Sequence, residues 1–364
     1  MAASPYRSLL HQMTQTTPTC LWNDSAAVGE LSASILDGAV GATCNPVIVL
    51  EVLKKEMHLW KDRILDLIAE MPRATEDQVA WRLVEEMSVK GASLLEPIYR
   101  QHNGRNGRLS IQTDPRLYRD PAAIVEQAER FHALAPNMIV KIPVTAAGVE
   151  AIEEATRRGI SINATVSFSL PQCLAVADAV ERGLKRREAE GRDIASMGPV
   201  CTIMVGRLDD WLKVAAAKHD VMVDPGFLEW AGVAVFKKTY RIFRERGYRL
   251  RLLSAAFRNH MHWSEFIGGE VVISPPYVWQ QRYNASGIPI ENRIERPVEP
   301  RIVEELLRRF PDFRRAYEEG GLAPKDFEGF PPTVRTLRQF TASAQALSAL
   351  VRDFLLPDPD SARG

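Results

Sequence analysis

The sequence of 364 residues predicts an α/β protein, a (β/α)8 barrel. Eight short segments rich in Val, Ile and Leu are candidate strands, at 19–23, 40–44, 108–113, 138–142, 161–166, 200–205, 251–256 and 270–274. Strands that alternate with helices form parallel sheets. Eight such units within about 260 residues fit a closed barrel better than an open sheet. The glycine motifs G-x-G-x-x-G, after a first strand, and G-x-x-x-x-G-K-[ST] are both absent, which argues against a nucleotide-binding sheet.

The segments between and after the strands have helical patterns. Apolar residues recur at helical spacing in 122–134, 147–158, 171–192, 301–317 and 332–355. Residues 51–103 predict extra helices inserted between the second and third strands, and a Pro- and Arg-rich connection follows Pro276. We therefore expect a single barrel domain over residues 1–300, with a C-terminal helical extension, 301–364, packed on it.

Composition limits the classes of partner. Lys plus Arg equals Asp plus Glu at 46 each, which argues against binding of nucleic acid or of acidic membranes. No apolar stretch is long enough to span a membrane. The four cysteines form no C-x-x-C pair and the seven histidines no H-E-x-x-H, so we predict neither disulfides nor a metal site. These features are typical of a cytoplasmic protein.

Lys141 lies in the middle of the fourth candidate strand, Asn-Met-Ile-Val-Lys-Ile-Pro-Val at 137–144. Such a run is typical of a strand that is buried on both faces. Burial of an ammonium group costs several kcal/mol unless its pKa falls. A neutral amine in an enclosed pocket can attack a ketone to form a Schiff base. The structural alternative is a lysine that extends its charge to water or pairs with a carboxylate.

Polar residues gather where the candidate strands end, which is where barrel enzymes carry their chemistry. In strand order they are Asp24, Asn45, Gln112, Lys141, Asn163, Thr165, Thr202, Met204, Arg207 and Arg258. Ordinary structural roles exist for several. Asp24 could cap a helix, Asn45 could form a turn before Pro46, and Arg207 could pair with Asp209 or Asp210.

Five stretches resemble the transaldolase family. They are G-A-T-C-N-P at 41–46, I-V-K-I-P-V-T at 139–145, N-x-T-x-x-F-S at 163–169, V-G-R-x-D-D-W at 205–211 and A-F-R-N at 256–259. They occur in family order between Thr19 and Pro276. The resemblance implies Schiff-base chemistry on sugar phosphates without metal or cofactor. It also implies the non-oxidative pentose phosphate pathway and often a homodimer.

The resemblance implies a role for each matching residue. Lys141 would form the iminium with the ketose, and Asp24 would take the proton of the C4 hydroxyl. Thr165 would position the catalytic water. Substrate contacts would come from Asn45, Asn163 and Thr202 at the hydroxyl groups, and from Arg207 and Arg258 at the phosphate.

Three positions depart from the family pattern. Gln112 stands where transaldolases usually carry a glutamate, and it resembles the fructose-6-phosphate aldolase branch. Met204 replaces the usual phenylalanine, or the tyrosine of that branch, and offers no hydroxyl. Ala256 replaces a serine at the phosphate, a loss of about 1 kcal/mol for one hydrogen bond. Thr202 replaces a serine but keeps the hydroxyl.

These residues leave three hypotheses. The first is a transaldolase that moves a dihydroxyacetone unit from fructose 6-phosphate to an acceptor such as erythrose 4-phosphate. The second is a Schiff-base aldolase that acts on a related or modified sugar without an acceptor, which Gln112 supports and Met204 opposes. The third is an inactive barrel that serves as a binding protein.

Overall fold

The computed structural model describes residues 5–360 and contains a closed barrel of eight parallel strands. Each strand pairs with the next in sequence, and β8 closes the ring against β1. The strands are β1 (Cys20–Asn23), β2 (Ala39–Cys44), β3 (Arg108–Gln112), β4 (Met138–Pro143), β5 (Ile162–Thr165), β6 (Val200–Met204), β7 (Arg251–Ala255) and β8 (Val272–Ile273). The predicted (β/α)8 barrel is confirmed.

Helices surround the barrel and extend beyond it. In chain order they are α1 (Leu9–Thr16), α2 (Val28–Leu36), α3 (Pro46–Glu70), α4 (Glu76–Gln101), α5 (Pro121–His132), α6 (Ala146–Arg158), α7 (Leu170–Ala189), α8 (Val205–Lys218), α9 (Pro225–Leu228), α10 (Ala231–Arg246), α11 (Met261–Ser264), α12 (Tyr277–Asn284), α13 (Pro300–Arg309), α14 (Pro311–Tyr317) and α15 (Pro331–Leu355). None of those within residues 5–360 has the length and apolarity that a membrane crossing requires.

Three predicted segments differ from the structure. The insertion predicted at 51–103 is the helix pair α3 and α4, and α3 begins earlier, at Pro46. The stretch near 301–317 forms two helices, because Pro311 cannot continue α13 and instead starts α14. The connection predicted after Pro276 contains the helix α12.

Apolar side chains fill the barrel interior below the polar strand ends. Trp22, Ile139, Val200, Leu253 and Val272 pack together as a buried cluster inside the ring. Because this layer fills the interior on the N-terminal side of Lys141, we expect a ligand to approach the amine from the C-terminal end of the barrel.

The last helix, α15, packs on α3 and α4 and reaches the C-terminal end of the barrel. The domain division predicted at residue 300 stays a prediction, and the ends of its two ranges, 1–4 and 361–364, lie outside the described residues.

Gln172, fully buried on α7, joins α15 to the ends of two strands. Its Nε2 donates to the carbonyls of Val144 and Val166 and to the Thr333 hydroxyl, at 3.1–3.4 Å. Its Oε1 accepts from the backbone N–H of Phe168 at 3.0 Å. Val166, directly after β5, has a φ of 56°, which is strained for a β-branched residue. The Gln172 side chain therefore helps to hold a strained strand end in place.

We predict that Gln172→Leu lowers the free energy of unfolding by about 3 kcal/mol, because several buried polar groups lose their partner. Gln345→Leu, at an exposed position of α15, should leave the free energy of unfolding nearly unchanged. Urea titration of both variants checks this. A Gln172→Leu variant as stable as the Gln345→Leu control would contradict the assigned role.

Candidate active site

Lys141 lies on β4 inside the barrel and is only 5 % exposed. It is in register with Gln112 on β3 and with Asn163 on β5, so these three side chains face the interior at one level. Burial lowers the pKa of Lys141, the positive charge of Arg207 lowers it further, and the Asp24 carboxylate opposes the shift. The amine is therefore more often neutral near pH 7 than an ordinary lysine is.

Asp24 follows β1 at the same end of the barrel, and its backbone N–H donates to the carbonyl of Pro275 at 3.2 Å. The Thr43 hydroxyl donates a short hydrogen bond to Oδ1 of the Asp24 carboxylate. Asp24 does not cap a helix, since α2 starts after Ala27. The carboxylate is thus held by a neighbouring strand, and its field acts on the Lys141 amine.

A chain of hydrogen bonds crosses the interior beside Lys141. Thr202 on β6 donates from its hydroxyl to Asn163 Oδ1 at 2.8 Å, and Asn163 Nδ2 donates to Ser110 Oγ at 3.0 Å. These bonds fix the orientation of the Asn163 amide and leave its second N–H for a substrate hydroxyl.

Neither Gln112 nor Met204 has a side chain that can exchange a proton near neutral pH. The Oε1 atom of Gln112 is buried and accepts no hydrogen bond within the described part of the chain. The Thr165 hydroxyl lies 4.0 Å from the sulfur of Met204, which is a weak acceptor. Gln112 and Thr165 therefore have hydrogen-bonding capacity available for a water or a substrate hydroxyl.

Asn45 serves as the N-cap of α3, where its side-chain oxygen accepts from the backbone N–H of Ile48 at 3.0 Å. The sequence offered a turn before Pro46 as the structural role of Asn45, and the structure makes this residue the cap of the helix that follows. The same orientation leaves the amide nitrogen as the group that could contact a substrate.

Arg207, at the start of α8, is held by α15. Its Nη1 donates to Gln339 Oε1 at 2.7 Å and to Thr336 Oγ1 at 3.4 Å, and its guanidinium lies 5.5 Å from the Phe340 ring centroid. Its Nε is buried and finds no partner among residues 5–360. Burial, with the charge of Arg258, lowers the pKa of Arg207 to about 10, so the group stays charged near neutral pH. The guanidinium keeps an unused Nε edge that suits an oxyanion.

Arg258, which follows β7, forms an ion pair with Asp210, a carboxylate that the sequence offered as a partner for Arg207. Its Nη2 and Nε donate to Asp210 at 2.8 and 3.0 Å. The prediction that Arg207 could pair with Asp209 or Asp210 is wrong, because Asp209 instead accepts from the buried His262 at 2.8 Å. His262 in turn accepts from the Arg258 backbone N–H at 3.0 Å, which fixes the loop that carries Arg258.

Close backbone packing brings the two arginines together. Ala256 has a φ of 64°, a strained value for a residue with a Cβ. A Cβ on Gly206 would approach the Ala256 carbonyl oxygen to 2.1 Å and Arg258 Cγ to 2.6 Å. Only glycine fits at position 206, so the turn after β6 can lie directly against the turn after β7.

Chemically, the site offers a depressed-pKa amine, a carboxylate nearby, hydroxyl and amide groups, and a pair of arginines to one side. Residues 5–360 contain no group of three or more His, Cys, Asp or Glu side chains arranged for a metal ion. This set suits nucleophilic attack on a carbonyl compound that carries an anionic group.

A family model described as Transaldolase/Fructose-6-phosphate aldolase matches residues 21–312. The chain belongs to this family. Transaldolase 1 of Streptomyces avermitilis is 36% identical over 182 residues, which are 49% of this chain and 47% of that protein. The transaldolase of Thermobifida fusca is 36% identical over 173 residues, 47% of this chain and 46% of that one. The transaldolase of Thiobacillus denitrificans is 32% identical over 225 residues, covering 60% and 61%. The matches thus span about half to three fifths of the length of these relatives.

Sequence reasoning missed the residues that hold the site in position. These are Thr43 at Asp24, Ser110 at Asn163, His262 at Arg258, and Thr336 and Gln339 at Arg207. Thr43 lies on β2 within the stretch 41–46 that resembles the family, two residues before Asn45, and its place in that stretch was the available signal. Gln339 lies on a helix remote in sequence and had none.

We predict that the pH dependence of attack by Lys141 shifts in opposite directions in two variants. Asp24→Asn removes the charge that raises the pKa of Lys141, so the midpoint should move to lower pH. Arg207→Gln removes a charge that lowers it, so the midpoint should move to higher pH. The measurement is the initial rate of borohydride-trapped adduct formation with dihydroxyacetone, which carries no phosphate, across pH.

Glu30→Gln, which removes a carboxylate that does not act on Lys141, is the matched control and should leave the midpoint in place. Shifts of the same sign in Asp24→Asn and Arg207→Gln would contradict this electrostatic arrangement.

Proposed function

We propose that this protein is a transaldolase that transfers a dihydroxyacetone unit from a ketose phosphate of the fructose 6-phosphate type to an aldose phosphate of the erythrose 4-phosphate type. The observation that carries the proposal is the buried Lys141, whose pKa is lowered inside a barrel closed from below. The transaldolase names of the relatives support it.

The first half of the reaction builds and breaks bonds at Lys141. The neutral Nζ adds to the ketose C2 carbonyl, and loss of water from the carbinolamine gives an iminium. Asp24 takes the proton of the C4 hydroxyl while the C3–C4 bond breaks. The bonding electrons move to the iminium, which leaves an enamine on Lys141 and releases glyceraldehyde 3-phosphate.

The second half reverses these steps on an acceptor. The enamine carbon attacks the aldehyde of the aldose phosphate, and the new alkoxide takes the proton back from Asp24. Water bound near Thr165 and Gln112 then hydrolyses the iminium and frees Lys141. Glutamine can orient this water but cannot accept its proton, so Asp24 carries the proton transfers.

The anionic end of the sugar would lie between Arg207 and Arg258. The unused Nε edge of Arg207 supports this placement. Asp210 already neutralises part of the Arg258 charge, and Ala256 supplies no hydroxyl, so we expect weaker phosphate binding than in relatives with serine there.

A second candidate, acceptor-free aldolase cleavage, is favoured by one observation: Gln112 Oε1, beside Lys141, has no hydrogen-bond partner among the described residues. Met204 argues against it, since a thioether cannot protonate the enamine to release dihydroxyacetone. An inactive binding barrel would have no need to keep Asp24 and Lys141. A cytoplasmic location and a homodimer stay predictions.

The proposed reaction predicts release of glyceraldehyde 3-phosphate from fructose 6-phosphate that depends on added erythrose 4-phosphate. Met204→Tyr supplies a hydroxyl near Thr165 and should raise acceptor-free release of dihydroxyacetone, by roughly 10²-fold if the phenol acts as a general acid. Met204→Phe, with similar bulk and no hydroxyl, is the matched control and should not do so.

Equal rates with and without the acceptor in the unmodified protein would favour the aldolase over the transferase. Lys141→Met should abolish both activities, and residual turnover in that variant would rule out both.

A further inference from the structure

A cluster of arginines lines two adjoining cavities at the N-terminal end of the barrel, opposite Lys141. The cavities have volumes of about 330 and 350 Å³ and share Arg105, Arg249 and Arg251 in their walls. Arg251 is the first residue of β7, and Arg105 shortly precedes β3. The proposed reaction uses none of these side chains.

Within the described part of the chain, two of the shared arginines donate hydrogen bonds to uncharged groups, and Glu270 attracts Arg251 without forming an ion pair with it. Arg251 donates to the Asn106 side-chain oxygen at 3.2 Å and to the Arg105 carbonyl at 3.0 Å. The Arg249 guanidinium donates to the carbonyls of Ile194 and Ala195 at 2.6 and 3.0 Å. Neutral carbonyls satisfy the N–H groups but do not neutralise the positive charges.

A third arginine, which has no carboxylate partner among the described residues, lies behind the second cavity. Arg108, buried at the start of β3, donates to the carbonyls of Gly104 at 2.8 Å and Ser196 at 2.6 Å. A Cβ on Gly198, which lines the cavity, would lie 3.2 Å from Arg108 Nε. Burial lowers the pKa of Arg108, the neighbouring Tyr99 opposes this shift, and the charge of Arg251 lowers the pKa further.

Acidic compensation at this end is small. The first cavity is lined by four arginines, with Arg244 as the fourth, against one described carboxylate, Glu270, which pairs with Arg105. The second is lined by three arginines and by no carboxylate among the described residues. Like charges held close together repel each other, and an anion would remove that cost.

A purely structural role accounts for only part of this arrangement. The arginines tie the segments before β3 and β6 to the barrel through carbonyl groups. Neutral amide side chains could make such hydrogen bonds without mutual repulsion. The structural role does not explain the excess of positive charge around the two cavities. The volumes of these cavities are near the lower limit for ligand pockets.

We propose that these two cavities form a binding site for a small phosphate-bearing anion, separate from the catalytic end of the barrel. Planar guanidinium groups bind phosphoryl oxygens in pairs, which suits the shared wall of Arg105, Arg249 and Arg251. Tyr240, Phe243 and Tyr248 line the first cavity and offer an apolar surface to an organic part of the ligand.

The test is isothermal titration with inorganic phosphate, pyrophosphate and AMP at constant ionic strength in chloride buffer. All proteins carry Arg207→Gln, which removes one of the two arginines proposed to bind the anion at the catalytic end, so that the Arg105 and Glu270 variants below decide at which end a probe binds. We expect saturable binding of at least one of these probes at one site per chain, in competition with the others. Tighter binding of AMP than of phosphate would identify an organic ligand, and the reverse an inorganic one; either supports the site.

Substitutions that change the charge of the site should change its affinity for the anion in opposite directions. Arg105→Gln removes one cation and frees Glu270, so affinity should fall about tenfold or more. Glu270→Gln removes the opposing carboxylate, so affinity should rise. Arg105 and Glu270 are both largely exposed, so neither change should unfold the protein, which thermal melting checks.

Arg182→Gln, which removes an exposed arginine paired with Glu153 elsewhere, is the matched control and should leave affinity unchanged. Absence of saturable binding by any probe in the folded Arg207→Gln protein would overturn the proposal. Equal affinity in the Arg105→Gln, Glu270→Gln and Arg182→Gln proteins would overturn it as well.

Discussion

The burial of one amine, that of Lys141, is the constraint on which the catalytic end of this barrel depends. An ammonium group in that position is unfavourable without compensation. Among residues 5–360, the carboxylate of Asp24 stabilises it and the positive charge of Arg207 opposes it. The protonation equilibrium of the amine is therefore shifted towards its neutral, nucleophilic form. The apolar layer around Trp22 fills the barrel interior on the N-terminal side of Lys141.

The C-terminal helix α15 belongs to this arrangement as much as the barrel does. Thr333 contacts Gln172, which holds the strained end of β5, and Gln339 holds Arg207. Loss of α15 would therefore disturb a strand end and an arginine at once. Two distant parts of the sequence thus fix the catalytic end jointly.

The strands and Lys141 could be predicted because they depend on local sequence. A short Val- and Ile-rich run between helical segments has few alternatives to a buried strand. A lysine inside such a run is unusual and therefore easy to recognise. The contacts that orient the site arise only when the barrel closes. Thr43 on β2 donates to Asp24, which follows the neighbouring strand β1. Asp210 pairs with Arg258 although Arg207 is nearer in sequence. The helix α12 was missed because its proline-rich surroundings suggested a connection.

The central claim is that Lys141 forms a Schiff base with a ketose phosphate, and trapping tests it most directly. The protein is incubated with fructose 6-phosphate, reduced with borohydride, digested and analysed by peptide mass spectrometry. A reduced three-carbon or six-carbon adduct on Lys141, and on no other lysine, is the result that this account predicts. A folded protein that forms no adduct, or forms it on a different lysine, would contradict it.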